Sequence, residues 1–167
     1  INKNQKILCA KYRKGHFEGV LDVMRQFFKI INAKYTFMGK KDYQQIYLIK
    51  KYLSKKYQRK IITCPTIRDK NKVALSSRNF LLNKKDLNKV SSISKNLIIF
   101  KSILKKNIKL NDYLINKKKV ELKRKYNIKI EYLENRNEKN LIKIFHSKNS
   151  RLFIAYYLKK IRLIDNY

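Results

Sequence analysis

Apolar residues change their spacing repeatedly before the chain's only proline, and that alternation limits what the sequence can fold into. From Phe17 they recur at helical spacing, as Phe17, Val20, Leu21, Met24, Phe27, Phe28 and Ile31. The run KYTFM then reads as a short buried strand, placed at Ala33–Met38 and ending at Gly39. Lys41 to about Lys55 is helical again, with Tyr43, Ile46, Tyr47, Ile49 and Leu53 supplying an apolar side. The segment Lys60–Cys64, KIITC, is a second strand, stopped by Pro65. Helix, strand, helix, strand with short joints is the pattern of a parallel α/β sheet. It predicts that the two strands are parallel neighbours with the Lys41–Lys55 helix across them. Two strands are too few for a stable open sheet, so further N-terminal structure is expected. The chain also opens on Ile1 rather than Met, as a processed chain or a fragment would.

The pattern changes after Asn79. Two helical stretches follow, around Lys84–Lys105 and Leu110–Lys125. Strand-like runs come next: IKIEYL from Ile128, LIKIFH from Leu141, RLFIAYYL from Arg151 and IRLI from Ile161. Helices followed by consecutive strands predict a small α+β domain with an antiparallel sheet, and a boundary near Pro65–Thr66. The Lys and Asn richness is a bias without an internal repeat.

Composition rules out several classes. At 167 residues the chain holds one domain or two small ones, and 44% hydrophobic residues are too many for a disordered polycation. The 43 Lys and Arg against 11 Asp and Glu give a net charge of +32. Such charge suggests nucleic acid, because Lys and Arg contacts to phosphates dominate non-specific affinity. The excess is spread along the whole chain, however, while Gly, Pro, Ala and Trp are scarce. That is the signature of drift toward A/T-rich codons, whereas a nucleic-acid binder concentrates charge in a stripe or tail. No specific nucleic-acid partner is therefore expected, and the alternative of a basic polyanion- or RNA-binding remnant rests on charge alone. Cys9 and Cys64 form no CxxC pair and His16 lies far from His146, so neither a Cys/His metal site nor a disulfide framework is expected. No apolar run approaches the length of a membrane span.

Three clusters could carry chemistry. FMGKKDYQQ, Phe37–Gln45, places a glycine, two lysines, an aspartate and two glutamines at a strand-to-helix junction. A helix start is a ready anion site, a lysine there suits a triphosphate, and a glutamine offers both donor and acceptor to a hydroxyl or carboxylate. Alone, the cluster reads better as a solvated helix start with Asp42 as a dipole partner. ALSSRN, Ala74–Asn79, sets two hydroxyls beside Arg78, which can grip phosphate oxygens bidentately, or forms a Ser-rich turn capping the next helix. RKGHFEGV, Arg13–Val20, puts His16 after a glycine at a helix start, where a lone histidine is more often structural. No Ser/His/Asp arrangement, carboxylate pair or Walker A sequence can be assembled.

Together and in this order, RKGHFEGV, FMGKKDYQQ and PTIRDKNKVALSSRN closely resemble the pantothenate synthetase (pantoate–β-alanine ligase) family. The terminal RLIDN, Arg162–Asn166, resembles that family's C-terminal strand. The resemblance is dense from Arg13 to Asn79, thin from Phe80 to Arg151, and returns at the end. It implies that residues 1–65 are the remainder of a Rossmann-like ATP- and pantoate-binding domain and 66–167 a C-terminal α+β lid domain. It also implies a two-step reaction. Pantoate carboxylate attacks the α-phosphate of ATP, giving pantoyl adenylate and pyrophosphate. The β-alanine amine then attacks the acyl group, releasing pantothenate and AMP, with Mg²⁺ bridging phosphates. Another adenylyl or nucleotidyl transferase of the superfamily is the alternative, and Gln45 after GKKD together with ALSSRN argues against it.

Carried over by position, the resemblance makes Gly39, Lys40, Lys41 and Asp42 ATP contacts and Gln45 the pantoate-binding glutamine. Ile67 lines the nucleotide site, and Leu75, Ser76, Ser77 and Arg78 form a phosphate-binding loop. It further implies a cytoplasmic homodimer. Several positions depart from the family: Lys40 stands where it has glutamate, Lys14 replaces a proline, Cys9 an acidic residue, and Lys72 the usual loop glycine. The family's HxGH motif, whose second histidine is the proton donor in adenylate formation, has no counterpart in the sequence, nor has a second substrate-binding glutamine. The resemblance places both upstream of Ile1, so the chain is expected to carry half a site and its catalytic histidine lies outside it.

Overall fold

Thr36 and Ile61 stand opposite each other in a parallel ladder between β1, Tyr35–Gly39, and β2, Lys60–Cys64, which runs in register to Gly39 and Cys64. This is the parallel pair that the alternating spacing predicts. The computed structural model describes residues 1–106, 111–144 and 149–167, which divide into two compact units, Ile1–Thr66 and Ile67–Tyr167. The expected start of the second helix, Leu110, lies outside the described residues, as does His146.

In the first unit a one-turn helix α1, Cys9–Tyr12, precedes α2, His16–Ile30. Gly15 caps α2 with φ 74, a left-handed conformation that glycine adopts without a Cβ penalty. The far end of α2 is capped by a side chain: Arg59 Nη2 donates to the carbonyls of Phe28 and Ile31, each at 3.0 Å. The link from β1 to β2 is less regular than a single helix. A 3₁₀ turn, Lys40–Asp42, leads into α3, Tyr43–Ile49, which widens into a π-helical segment over Lys50–Ser54. This link buries Ile46, Leu48, Ile49 and Leu53, while α2 contributes Phe17, Leu21 and Phe28.

β1 itself is not the buried strand its composition suggests. Phe37 is 69% exposed, and Met24, Phe27, Ile31 and Phe37 border an open apolar groove of about 280 Å³. The burial of β1 alternates, with Tyr35 and Phe37 on the exposed face and Thr36 and Met38 on the half-buried one.

The second unit is an α+β layer. α4, Lys84–Lys106, and α5, Asn111–Tyr126, accompany an antiparallel sheet in the order β3–β4–β5, formed by Lys129–Asn137, Ser150–Leu158 and Ile161–Asn166. Leu97, Leu122, Leu133, Leu152 and Ile154 meet in one core and are fully enclosed. Burying such side chains contributes roughly 1.5–3 kcal/mol each. The expected strand at LIKIFH does not form over its described part. Leu141 adopts φ 59, which breaks an extended run, and its side chain turns inward; Lys143 keeps only a single bridge to Arg136. Pairing is supplied instead by β3, which runs on past Leu133 to Asn137 opposite β4.

Candidate functional site

The first cluster sits at the carboxyl end of the parallel pair, where open α/β sheets place ligands. Gly39 is the last residue of β1 and the partner of Cys64. Its torsions, φ −70 and ψ 130, are open to any residue, and a Cβ built on it would meet nothing within 4 Å. Neither backbone strain nor packing among the described residues calls for glycine here, which leaves the backbone at this corner open to close approach. Asp42 is exposed and its side chain does not cap α3. Lys40 and Lys41 are half-buried in the 3₁₀ turn between Gly39 and α3. Asp42 supplies the cluster's only carboxylate. That donor set suits a cation carried in by a triphosphate rather than one gripped by the protein.

The two adjacent glutamines part company. Successive residues of a helix point about 100° apart, so the two amides face different surroundings. Gln44 turns inward: it is buried, and its Nε2 donates to Ile7 O at 2.8 Å and to Gln5 O at 3.5 Å. Gln5 is buried in turn, and its Oε1 accepts from the Tyr52 hydroxyl and from Asn2 N. Gln45 stays half-exposed. Sequence reasoning passes over Gln44, Gln5 and Tyr52. The only signal for them is that Gln44 lies one helical turn before buried Leu48. His16, at the start of α2, lies beside Phe17 with ring centroids 4.9 Å apart and the rings tilted by 52°.

The second cluster belongs to the second unit and is built on a tight hairpin. Arg68 bridges Ala74, and Leu75 N donates to Ile67 O at 3.0 Å. Asp69 Oδ1 accepts from the amides of Asn71 and Val73, both at 2.9 Å, closing the turn. Lys72 stands in that turn with φ 68, which gives a physical reason for a glycine at this position. Ile67 and Leu75 are exposed, at 64% and 55%. Ser76 Oγ accepts from Arg78 N at 3.3 Å and so caps the 3₁₀ helix Ser77–Leu81. Ser77 is exposed, and Arg78 is half-buried with Nη1 donating to Arg162 O at 3.0 Å. Ser76 therefore caps a helix, as the simpler reading expects, while Arg78 is steered by β5.

Arg68 anchors this hairpin to the end of the chain. Its Nη1 and Nη2 donate to Asp165 Oδ2 and Oδ1, each at 2.8 Å, and its guanidinium lies 4.7 Å from the centre of the Tyr167 ring. Burial, followed by the charge of Asp165, raises the Tyr167 phenol well above its usual range, so it serves as a neutral donor. An ion pair separated by 97 residues leaves no local signal in the sequence.

Among the described residues no group of three or more His, Cys, Asp and Glu could hold a metal ion, and no helix is long and apolar enough to cross a membrane. The chain is similar to the pantothenate synthetase of Buchnera aphidicola subsp. Schizaphis graminum, at 37% identity over 99% of this chain and 59% of that protein. It thus spans less than two thirds of that relative's length. The crystal structure of pantothenate synthetase from Thermus thermophilus superposes over the whole chain and 61% of its own with a TM-score of 0.89; at 22% identity this speaks for the fold alone. The pantoate-beta-alanine ligase of Francisella tularensis, crystallised with beta-gamma ATP and beta-alanine, aligns over the whole chain and 56% of its own, at 32% identity and a TM-score of 0.74. A family model for pantoate-beta-alanine ligase matches residues 1–167, from end to end, and the chain belongs to that family.

Proposed function

We propose that the protein is a pantoate–β-alanine ligase, and that this chain supplies ATP- and pantoate-binding groups for adenylate formation. The observation that carries the reading is Gly39 at the carboxyl end of β1, a glycine with no internal reason to be one, followed by two lysines and by Gln45 on the first turns of α3. Residues 1–65 act as the ATP- and pantoate-binding domain and 66–167 as the lid. Gly39 admits the nucleotide close to the backbone. Lys40 contributes mainly its main chain, and Lys41 meets the phosphates. Asp42 would help hold a Mg²⁺ that the phosphates carry, whose charge would assist departure of pyrophosphate. Gln45 binds pantoate. Ile67 and Leu75–Arg78 line the nucleotide and neutralise its phosphates.

A pantoate carboxylate oxygen attacks the α-phosphorus of ATP, the bond to the bridging oxygen breaks, and pyrophosphate departs with the electron pair. The amine of β-alanine then attacks the acyl carbon, AMP leaves, and the amine proton passes to solvent. No covalent enzyme intermediate is required, so catalysis consists of positioning and charge neutralisation. The same reading makes the assembled protein a cytoplasmic homodimer.

The test is pantoate-dependent pyrophosphate release by the full-length gene product. Removing a preorganised donor costs about 10²–10³ in rate. Lys41→Ala and Arg78→Ala are each expected to fall in that range, and Lys105→Ala to leave the rate unchanged. An Arg78→Ala enzyme with wild-type rate would remove Leu75–Arg78 from the mechanism, and absence of pantoate-dependent release from the wild type would overturn the reading as a whole.

A further inference from the structure

We propose that Asp165, acting through Arg68, is a positioning residue for the phosphate-binding loop Leu75–Arg78, so that β5 serves as the template on which the loop is aligned. The inference rests on reading Leu75–Arg78 as that loop. None of the residues from Leu75 to Leu81 is buried, whereas Val73 and Ala74 before them and Leu82 after them are. Apolar packing therefore holds the two ends of the segment and leaves its middle to hydrogen bonds.

Within the segment those bonds are local, Asn79 Nδ2 to Ala74 O at 3.0 Å and Arg78 N to Ser76 Oγ at 3.3 Å. The bonds that orient it from outside converge on β5. Arg68 opens the hairpin that delivers the loop, and its guanidinium is held from the C-terminal side by both oxygens of Asp165 and by Asn166 O at 3.2 Å. The same Nη1 reaches back to Lys72 O at 3.0 Å and to Ser94 Oγ at 3.4 Å, which ties the turn of the hairpin to the pair. Ser94 Oγ donates to Lys72 O at 2.6 Å, and the Tyr167 hydroxyl lies 2.8 Å from Asp165 Oδ2 and 3.1 Å from Ser94 Oγ. The loop's own cation uses the same strand, because Arg78 Nη1 donates to Arg162 O, three residues before Asp165. Arg162 is itself fixed by Glu131 on β3, through Nε at 3.0 Å and Nη2 at 2.7 Å. Hairpin and guanidinium are thus referred to two points of one paired strand, and their separation is set by β5. A bidentate arginine–carboxylate pair suits this task because its fork fixes orientation as well as distance.

The test compares full-length wild type, Asp165→Asn, Asp165→Glu and Arg78→Ala in steady-state pyrophosphate release, with hydrogen exchange at the amides of Ser76–Asn79. Asp165→Asn keeps the shape but loses the charge and one acceptor. Small misplacements remote from the reacting atoms cost up to about a hundredfold. A rise in KM for ATP of about ten- to a hundredfold is expected, with KM for pantoate within about twofold, faster exchange in the loop, and partial recovery in Asp165→Glu. If Asp165→Asn does not fold, Tyr167→Phe, which removes only the hydroxyl beside Asp165, carries the same test with a rise in KM for ATP of about threefold. Unchanged KM for ATP in the folded variant, or a uniform loss for both substrates, overturns the inference while Arg78→Ala remains impaired. An unimpaired Arg78→Ala overturns the phosphate-loop reading, and this inference with it.

Discussion

Lys101 on α4 and Ser150 on β4 meet inside the second unit, with the ammonium 2.7 Å from both the carbonyl and the hydroxyl oxygen of the serine. Asn135 Oδ1 completes the cage at 3.0 Å, so a buried cation is held by neutral acceptors alone. Burial pushes its pKa down from 10.5 to about 8; Lys105 and Arg151 add to the shift, and Glu138 opposes it. Between those two values the unfolded chain binds a proton that the folded chain has released. Stability therefore rises with pH across that window, the reverse of the effect of a cation held by a carboxylate. Urea unfolding at pH 7.5 and 9.5 is expected to show this rise in wild type. Lys101→Met, which cannot titrate, is expected to lack it, and equal slopes in the two proteins would contradict the assignment.

Lys72 occupies a left-handed turn position at φ 68, and its side chain is exposed. The left-handed conformation costs a non-glycine residue about 1–2 kcal/mol, and Lys72 N and O, which bond Asp69, Arg68 and Ser94, remain in place when the side chain goes. Lys72→Gly is expected to raise the unfolding free energy by about 1 kcal/mol. Gly15→Ala, made at φ 74, is expected to lower it by a similar amount. Chemical denaturation of the two variants checks both signs.

Gln44 and Gln45 are adjacent in sequence but predict opposite phenotypes. Gln44→Leu strips the donor from Ile7 O and Gln5 O in a buried setting, which costs about 1–3 kcal/mol. Gln45→Ala removes a half-exposed side chain and is expected to change stability by less than about 0.5 kcal/mol. On the proposed function the kinetic order reverses: Gln45→Ala raises KM for pantoate more than Gln44→Leu does. Melting curves and steady-state kinetics on the same preparations decide the matter.

Gly39→Ala separates a functional glycine from a structural one. Its torsions suit alanine and the added Cβ meets no atom of the chain, so the melting temperature is expected to hold or rise slightly. Nucleotide binding, followed by calorimetry on the full-length protein, is expected to weaken at least tenfold if the backbone approaches the phosphates as proposed; about 1.4 kcal/mol of lost contact is enough for that. Unchanged affinity would show that the glycine is incidental.

Most element types and their order were legible in the residues because they follow from the period of apolar positions. β2 falls on Lys60–Cys64 and α4 within a residue of the expected Lys84–Lys105 span. Glycine at the end of β1 and paired serines before Arg78 also mark, by residue type alone, where close approach and anion contacts are possible. What tertiary structure alone decided depends on neighbours remote in the chain. The exposure of Phe37 follows from which face of β1 other elements cover and cannot be read from its hydrophobicity. LIKIFH has strand composition, yet Leu141 turns through φ 59 to bury its side chain, because packing outweighs local propensity. Which of two adjacent glutamines faces inward was decided by carbonyls at Gln5 and Ile7, supplied some forty residues earlier. The pairing of Arg68 with Asp165 was decided by the register of β4 and β5, since a charge finds its partner through space while sequence records only spacing along the chain.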